Sequence, residues 1–344
     1  MASAGRSFRA TSASRRVAVT GAAGFLGLHL VHGLDARGAS VLPIVRVVEP
    51  RSPAGAVALN DVLANAALLD GVDVLVHAAA VRHRYGSEAS TYRASNVELV
   101  EHVIRAAARA RVGRVVLVSS VGVYGFPAEL PVAEDYPYAP RTFYSATKVE
   151  AETRARRAAR AAGVPLVIAR PSIFYGPGDR NGMLDKMASM IRTGTYRIVG
   201  PGDNVLHHAH VDDIVEGLWL AATRDEAVDE HFILAGPETI TLAQLSALVA
   251  QAIGRELSSS HVPSALARAV ATVVDVAAHR GFAFVKREPP INHEKLDVMT
   301  VPIAFDISKA RRMLGYEPTV GYEEGIMRTL RGEWPALARL GAPR

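Results

Sequence analysis

Short runs of apolar and β-branched residues alternate with stretches of helical periodicity from residue 15 onward. The runs are almost continuously apolar over four to six residues, which is typical of strands buried on both faces of a parallel sheet. The predicted strands are Val17–Thr20, Val41–Val45, Val72–His77, Val115–Val118 and Pro165–Ala169. The predicted helices are Leu26–Arg37, Ser95–Ala110 and Tyr144–Ala162. This alternation predicts an α/β fold with a doubly wound parallel sheet.

The pattern changes at both ends of this region. The first 14 residues are small, polar and basic without an apolar stretch, which predicts a disordered tail rather than a secretory signal. After Arg170, glycine- and proline-rich loops separate shorter helices. Such loops are typical of a substrate-binding portion laid across the ends of the strands. We therefore predict a smaller C-terminal domain that binds a small-molecule substrate.

Composition excludes several functional classes. The chain contains no cysteine, which rules out disulfides, thiolate metal sites and a cysteine nucleophile. The formal net charge is +5, but acidic and basic residues alternate along the helices instead of forming a basic patch, which argues against a nucleic-acid partner. No stretch approaches the roughly 20 consecutive apolar residues of a membrane span. We predict a cytoplasmic protein without an integral membrane segment.

A glycine-rich turn follows the first predicted strand. Glycines at this spacing bring backbone N–H groups close to a pyrophosphate, and the following helix directs its positive end at the phosphate charge. The spacing alone is a weak signal, but its place between a strand and a helix favours a Rossmann-type site for a dinucleotide. The predicted contacts from this turn are Gly21, Ala23, Gly24, Phe25, Leu26 and Gly27.

The end of the second strand bears on the choice between NAD and NADP. An acidic residue there would favour NAD, because it accepts a hydrogen bond from the free ribose hydroxyl. The stretch Pro43–Arg46 contains no carboxylate. Arg46 could instead pair with a 2′-phosphate, the alternative being an ordinary solvated arginine. The sequence therefore slightly favours NADP over NAD.

Tyr144 and Lys148 are spaced so that both side chains lie on one face of a helix, one turn apart. A lysine cation beside a phenol favours the phenolate and lowers its pKa. The phenol can then exchange the proton that accompanies hydride transfer at a carbinol carbon. A serine after the preceding strand, Ser120, would hold the substrate oxygen.

Six motifs occur in the order expected of one family. They are GAAGFLG at 21–27, DVLVHAAA at 73–80, SSVGVYG at 119–125, YSATK at 144–148, RPSIFYGPG at 170–178 and HAHVDDIVEG at 208–217. With these motifs the sequence resembles the extended short-chain dehydrogenase/reductase family, also called the NAD-dependent epimerase/dehydratase family, over residues 15 to about 330. The resemblance implies an NAD(P)-dependent oxidoreductase.

The resemblance also implies roles for single residues. Ser120, Tyr144 and Lys148 match the catalytic triad, and Tyr144 and Lys148 would also contact the cofactor. The candidate substrate residues are Arg82, His83 and Arg180. Arg180 would be a compensating cation. For Arg82 and His83, a solvated loop is an equal interpretation. The further cofactor contacts that it implies are Asp61, Val62, Ala78, Ala79, Ala80, Pro171, Ser172 and Ile173.

The domain boundaries and the assembly follow from the same resemblance. Residues 15–170, with 211–235 returning to them, would form the NAD(P)-binding domain. Residues 171–210 and 236–344 would form the substrate-binding portion. Members of the family commonly dimerise through two helices of each subunit, which correspond here to Ser95–Ala110 and Tyr144–Ala162. We therefore expect a homodimer.

The substrate is the most open question. Nucleotide-sugar enzymes of the family usually have Asn in place of Ser172 and an Arg shortly before the Val-Asp-Asp segment, where residues 204–208 contain none. The C-terminal stretches 289–295, 305–310 and 314–318 instead resemble the 3β-hydroxysteroid dehydrogenase and sterol 4-carboxylate dehydrogenase branch. We favour a secondary alcohol or ketone on a hydrophobic or neutral substrate, such as a 3β-hydroxysteroid. A nucleotide-sugar epimerase, dehydratase or ketoreductase is the alternative, and a non-catalytic cofactor-binding protein a remote one.

Several histidines and apolar residues have two interpretations. His207, His208 and His210 suggest a metal site, but adjacent strand residues point to opposite faces, so we predict structural roles and no metal. His77 is predicted to be a packed core histidine, and Trp219 a core residue. The apolar stretch 262–285 would be either a cover over the substrate or a surface helix.

Overall fold

The computed structural model describes residues 14–81, 89–180, 182–258, 260–279 and 292–333. Residues 1–13 of the predicted tail lie outside these ranges. The strands are β1 Arg16–Thr20, β2 Ser40–Val45, β3 Val57–Ala58, β4 Val74–His77, β5 Arg114–Val118, β6 Leu166–Pro171, β7 Phe174–Tyr175, β8 Ile198–Val199, β9 Val205–Leu206, β10 Ala209–His210, β11 His231–Leu234, β12 Ile240–Thr241 and β13 His261–Val262.

The helices flank the strands and fill the C-terminal half. They are α1 Phe25–Asp35, α2 Leu59–Ala64, α3 Ala89–Arg93, α4 Leu99–Arg109, α5 Phe143–Ala162, α6 Met183–Arg192, α7 Val211–Thr223, α8 Leu242–Ala252, α9 Ser264–His279, α10 His293–Thr300, α11 Ser308–Leu314 and α12 Tyr322–Arg331. In the described parts of the chain, none of them combines the length and apolarity needed to cross a bilayer.

Seven parallel strands form the central sheet in the order β11-β6-β5-β4-β1-β2-β3. The order reverses between β1 and β4, where Thr20 is in register with His77. All the strands point the same way, so their carboxyl ends open a crevice at this reversal, where ligands of doubly wound sheets bind. The predicted fold class is confirmed.

Helices cover both faces of the sheet. On one face, α1 and α7 bury Leu30, Ile214 and Leu218 against the strands. On the other, α2, α4 and α5 form a second apolar layer. Ala151 and Ala155, on one face of α5, are almost fully buried, and their small side chains let this helix pack closely on the sheet. The catalytic candidates lie on the first turns of this anchored helix.

The predicted helix Ser95–Ala110 differs from the observed structure. The chain is already helical at α3, passes through a π-helical segment at Ala94–Glu98, and continues as α4. The reason is Asn96, which is buried and exchanges hydrogen bonds with the backbone of Val81 (2.8 and 3.0 Å) and donates to Thr147 on α5 (3.2 Å). The wider turn directs this polar side chain inward, which a helical pattern of apolar residues does not reveal.

The C-terminal half has its own apolar core. Residues of α6, α8 and α12 pack around Tyr175, Leu206 and Ile240. β7 and β10 pair in parallel next to the sheet, and α9 packs against α10 through Ala267, Ala271 and Leu296. Of the stretch 262–285, α9 is therefore observed as a helix packed on α10, while residues 280–285 lie outside the described residues.

Candidate active site

The glycine-rich turn between β1 and α1 lies against the segment after β4. Gly21 has a φ of +73°, and a Cβ there would lie 2.8 Å from the backbone of Ala79. A Cβ at Gly27 would lie 2.7 Å from the Cα of Ala22, so glycine is needed for α1 to start this close to the turn. Within the described residues no side chain caps α1, which leaves its first amides to bind an anion. The turn thus fits the pyrophosphate of a dinucleotide.

A cleft of about 290 Å³ opens at this turn, at the carboxyl ends of β1, β4, β5 and β6. It brings together the glycine turn, the alanines after β4 and the start of α5, which are distant in sequence. Its lining residues are Gly21, Gly24, Phe25, Leu26, Gly27, Ala78, Ala80, Val118, Ser119, Ser120, Tyr144, Lys148, Pro171, Ser172, Ile173 and Phe174. Most of the predicted cofactor contacts therefore lie around one cleft.

Tyr144 and Lys148 line this cleft from the first turns of α5. Thr142 caps the helix, since its hydroxyl accepts a hydrogen bond from the backbone N–H of Ser145 at 3.0 Å. The Nζ atom of Lys148 lies 5.8 Å from the centre of the Tyr144 ring. Ser120 reaches the cleft from the end of β5, and its hydroxyl accepts from the Gly122 N–H at 3.1 Å.

Lys148 is buried, with 4% of its surface exposed, and donates a hydrogen bond to the carbonyl of Val118 at 2.9 Å. Burial lowers the pKa of this lysine to about 8, against a raising influence of the nearby Glu152 carboxylate. Such an ammonium is still mostly protonated at neutral pH and can stabilise a phenolate beside it.

A buried ion pair between Glu152 and Arg170 connects α5 with the sheet. Glu152 lies one turn after Lys148, and its carboxylate accepts from Arg170 Nε (3.0 Å) and Arg170 Nη2 (2.7 Å). It also accepts from the hydroxyls of Ser119 (2.6 Å) and Tyr138 (2.7 Å). Arg170 immediately precedes Pro171 at the edge of the cleft. The pair thus connects α5 with the ends of β5 and β6, which carry the cleft residues.

A second cavity, of about 220 Å³, adjoins the first. Ser120, Tyr144 and Ile173 line both cavities, so the candidate catalytic residues Ser120 and Tyr144 lie on their common boundary. The other residues lining the second cavity are Val121, Gly122, Gly125, Phe126, Arg141, Thr142, Ser145, His207, His208, Val298, Val301, Ile303 and Phe305. This mostly apolar wall suits the body of a hydrophobic substrate.

Some predicted cofactor contacts are not part of the cleft wall. Arg46 is exposed just beyond β2, Asp61 is exposed in the first turn of α2, and the side chain of Val62 is buried in the core. Ala23 is exposed on the turn, and Ala79 contacts the turn through its backbone. Their roles toward a dinucleotide stay predictions.

The predicted substrate residues are less well placed. Arg82 and His83 lie outside the described residues. Arg180 is exposed on the loop after β7 and lines neither cavity.

The histidines have separate environments. His77 is buried, with Nδ1 2.8 Å from the Thr20 hydroxyl, and burial together with Lys148 lowers its pKa to about 3. His207 Nδ1 accepts from the Phe305 N–H, and its Nε2 donates to the Gly236 carbonyl, both at 3.0 Å. His208 lines the second cavity, and burial lowers its pKa to about 4. The described residues contain no group of three or more potential metal ligands.

Sequence analysis missed two sets of residues. One is the network around Glu152 and Arg170, for which the only signal was a carboxylate spaced one helical turn from Lys148. The other is the wall of the second cavity, which includes Arg141 three residues before Tyr144 and apolar residues between Val298 and Phe305.

Three comparisons with known proteins bear on this site. Residues 17–235 match the model of the NAD dependent epimerase/dehydratase family. A 4-hydroxy-2-methyl-3-oxo-4-farnesyl-3,4-dihydroquinoline-1-oxide ketoreductase of Stigmatella aurantiaca is 32% identical over 324 residues, covering 90% of this chain and 94% of that protein. The 3beta-hydroxysteroid-dehydrogenase/decarboxylase isoform 1 of Arabidopsis thaliana is 27% identical over 355 residues, covering 93% and 80%.

Among solved structures, the UDP-glucuronic acid 4-epimerase of Bacillus cereus in complex with NAD superimposes with a TM-score of 0.72. The match covers 92% of this chain and 98% of that chain at 20% identity, so it bears on the fold alone.

Proposed function

Since the chain belongs to the NAD-dependent epimerase/dehydratase family of enzymes, we propose that it transfers a hydride between a nicotinamide cofactor and a secondary alcohol or ketone of a hydrophobic substrate. The observation that carries the proposal is the position of Tyr144 and Ser120 on the boundary between the glycine-turn cleft and the apolar cavity. A 3β-hydroxysteroid is a representative substrate, in keeping with the resemblance of the C-terminal half.

Each residue has a role in this chemistry. When bound, the nicotinamide cofactor supplies the acceptor or donor of the hydride. In the oxidative direction the Tyr144 phenolate accepts the hydroxyl proton of the substrate, and in the reductive direction the phenol returns it. The Lys148 ammonium stabilises the phenolate and binds the nicotinamide ribose, and Ser120 holds the substrate oxygen. Pro171, Ser172 and Ile173, which line the cleft, would border the nicotinamide.

We further propose that NADP is preferred slightly over NAD. The support is Arg46, which is exposed directly after β2 in a stretch without a carboxylate and can approach a 2′-phosphate. Asp61 and Val62 would flank the adenine.

The domain division and the homodimer belong to the same proposal. Residues 15–170 and 211–235 would bind the cofactor, because their strands make up the sheet that carries the cleft. Residues 171–210 and 236–344 would bind the substrate. Association through α4 and α5 would brace the helix that carries Tyr144. The cytoplasmic location stays a prediction from the sequence.

The alternative is a nucleotide-sugar epimerase, dehydratase or ketoreductase. A buried diphosphate needs several cationic or N–H partners. Among the described residues that line the second cavity, Arg141 is the only arginine or lysine. Leu206, which directly precedes His207 in the segment where nucleotide-sugar enzymes usually carry an Arg, belongs to the apolar core. Both observations favour a substrate without a diphosphate.

A paired experiment tests the proposal. Cofactor reduction is followed with an alicyclic secondary alcohol such as a 3β-hydroxysteroid, and UDP-glucose binding is measured by calorimetric titration. We expect turnover of the alcohol and weak binding of the sugar nucleotide. Micromolar binding of UDP-glucose without steroid turnover would reverse the order of the two candidates.

A further inference from the structure

We propose that Arg141 binds a carboxylate of the substrate, so that the preferred substrates carry an acid group close to the secondary alcohol or ketone. The inference rests on the proposed function and narrows its substrate class to largely apolar hydroxy or oxo acids. Nothing in the sequence motifs or in the comparisons assigns a role to this residue.

The charge of the second cavity is the first observation. Of its sixteen lining residues, Arg141 is the only one with a permanent charge, and none is acidic. His207 and His208 are neutral near pH 7, because burial lowers the pKa of both. Apart from the Tyr144 phenolate of the proposed oxidation, an anionic group that enters the cavity therefore meets one cation and no like charge among the lining residues.

The position of Arg141 is the second observation. It lies one residue before Thr142, the N-cap of α5, and three residues before Tyr144. The N-terminus of a helix adds a partial positive charge, and the side chains of Thr142 and Ser145 line the same cavity with hydroxyl groups. A carboxylate bound by Arg141 would thus lie close to the group that exchanges the proton.

The packing of the Arg141 side chain is the third observation. Gly125 has a φ of +65°, and a Cβ at this position would lie 2.1 Å from the carbonyl oxygen of Ala139 and 3.1 Å from Cγ of Arg141. The glycine thus lets the arginine stem lie against the loop after β5. A larger residue there would clash first with the Ala139 backbone and would therefore change the loop against which the stem lies.

The lack of a partner is the fourth observation. Arg141 is exposed, and in the described structure it forms no ion pair or hydrogen bond, whereas the buried Arg170 pairs with Glu152. A guanidinium with all its donors available matches a carboxylate with two parallel hydrogen bonds. One such cation suits a single carboxylate better than a diphosphate, which requires several partners.

The test compares two substrates that differ only in charge. The wild-type enzyme is supplied with NAD or NADP and with 3-hydroxyoctanoate or its methyl ester. In each reaction the carbinol C–H bond delivers a hydride to the cofactor, the O–H proton goes to Tyr144, and a ketone is left. The variants are Arg141→Gln, Arg141→Lys and, as a matched control, Arg255→Gln, which changes an exposed arginine that lines neither cavity.

We expect the wild type to prefer the acid over the ester by about tenfold in kcat/KM, the size of a charge-assisted hydrogen bond reduced for solvent exposure. Arg141→Gln should bring the ratio close to one, because it lowers kcat/KM for the acid far more than for the ester. Arg141→Lys should retain most of the preference, and Arg255→Gln all of it. The preference should also fall between about 0.05 and 0.5 M salt, as a purely structural role would not.

A binding measurement keeps this inference separate from the proposed function. Octanoate and methyl octanoate, which lack the reacting hydroxyl, are titrated calorimetrically into the NAD(P)H-loaded wild type and Arg141→Gln. If neither hydroxy compound is oxidised but octanoate binds more tightly than its ester only when Arg141 is present, the reaction is wrong and the carboxylate site stands. Equal binding of octanoate and its ester by the wild type, or an unchanged preference in Arg141→Gln, would overturn the site.

Discussion

Removal of one partner of the buried Glu152–Arg170 pair is expected to be among the most destabilising conservative changes in this enzyme. Both side chains are at most 2% exposed, and the carboxylate accepts four hydrogen bonds. The substitution Glu152→Gln keeps the shape of the side chain but removes its charge. It also replaces one acceptor oxygen with an NH₂ group, which must face a donor of Arg170 or Tyr138.

The magnitude follows from the burial. Breaking a buried ion pair by removing one partner costs about 3–5 kcal/mol, because the remaining charge has no counter-ion. Arg170 keeps acceptors in the Tyr124 hydroxyl and the Glu134 carbonyl, so we expect a loss near the lower end of that range. The matched control is Glu216→Gln in the pair with Arg37, where both side chains are about one-third exposed and the loss should be at most about 1 kcal/mol.

Chemical denaturation of both variants, followed by circular dichroism, measures the difference. The double variant Glu152→Leu/Arg170→Met should lose less than the sum of the two single changes, since it leaves no unpaired charge. If Glu152→Gln were no more destabilising than Glu216→Gln, the carboxylate would not carry the charge that the structure indicates.

The pH dependence of this effect has a definite sign. Burial raises the pKa of Glu152. The hydrogen bonds and charge of Arg170, together with the hydrogen bonds from Ser119 and Tyr138, lower it by more, so the pKa lies below its ordinary value of 4.5. A depressed carboxyl pKa contributes stability that is present above 4.5 and is lost as the pH falls through the folded-state value. The advantage of the wild type over Glu152→Gln should therefore be constant near neutral pH and shrink below about pH 4.5.

Three further outcomes test the proposed site and assembly. Tyr144→Phe should abolish turnover and leave cofactor affinity nearly unchanged, whereas Lys148→Ala should impair both. Steady-state kinetics and cofactor titration measure these effects, and equal losses of cofactor binding in the two variants would contradict these roles. Arg46→Ala should weaken NADP binding by about 1.5–3 kcal/mol and leave NAD little changed, and a wild type that binds NAD more tightly than NADP would refute the pairing. Light scattering at micromolar concentration should give twice the chain mass of 36.7 kDa if α4 and α5 form a dimer interface, and a monomer mass would exclude it.

Five of the seven strands of the sheet could be predicted from the sequence, because they are buried on both faces and so appear as continuous apolar runs; β3 and β11 were not predicted. The bounds of α5 were also nearly correct, since Thr142 and Gly163 mark its ends with a side-chain cap and a left-handed residue. The start of the preceding helix was wrong because it depends on Asn96. A polar residue that bonds to Val81 and Thr147 is a tertiary constraint, and no local pattern encodes it.

The two cavities likewise differ in how far the sequence could predict them. The cofactor cleft is built from local motifs, each a short run at the end of a strand, and the chain order of these runs is enough to bring them together. The wall of the second cavity comes from the loop after β5, the start of α5, the segment before β10 and the stretch 298–305. No single spacing connects these segments, so Arg141 had no visible partner in the sequence.

This difference explains why the departures from the nucleotide-sugar pattern were informative but incomplete. The missing Arg before the Val-Asp-Asp segment and the Ser at position 172 show only what the site lacks. The structure adds what lies there: the neutral His207 accepts a hydrogen bond from the Phe305 backbone, and Arg141, one residue before the N-cap of α5, lines the same cavity. The one arginine among the lining residues thus lies three residues before Tyr144 in the sequence. That position favours an anionic group near the reacting carbon over one at the distal end of a long substrate.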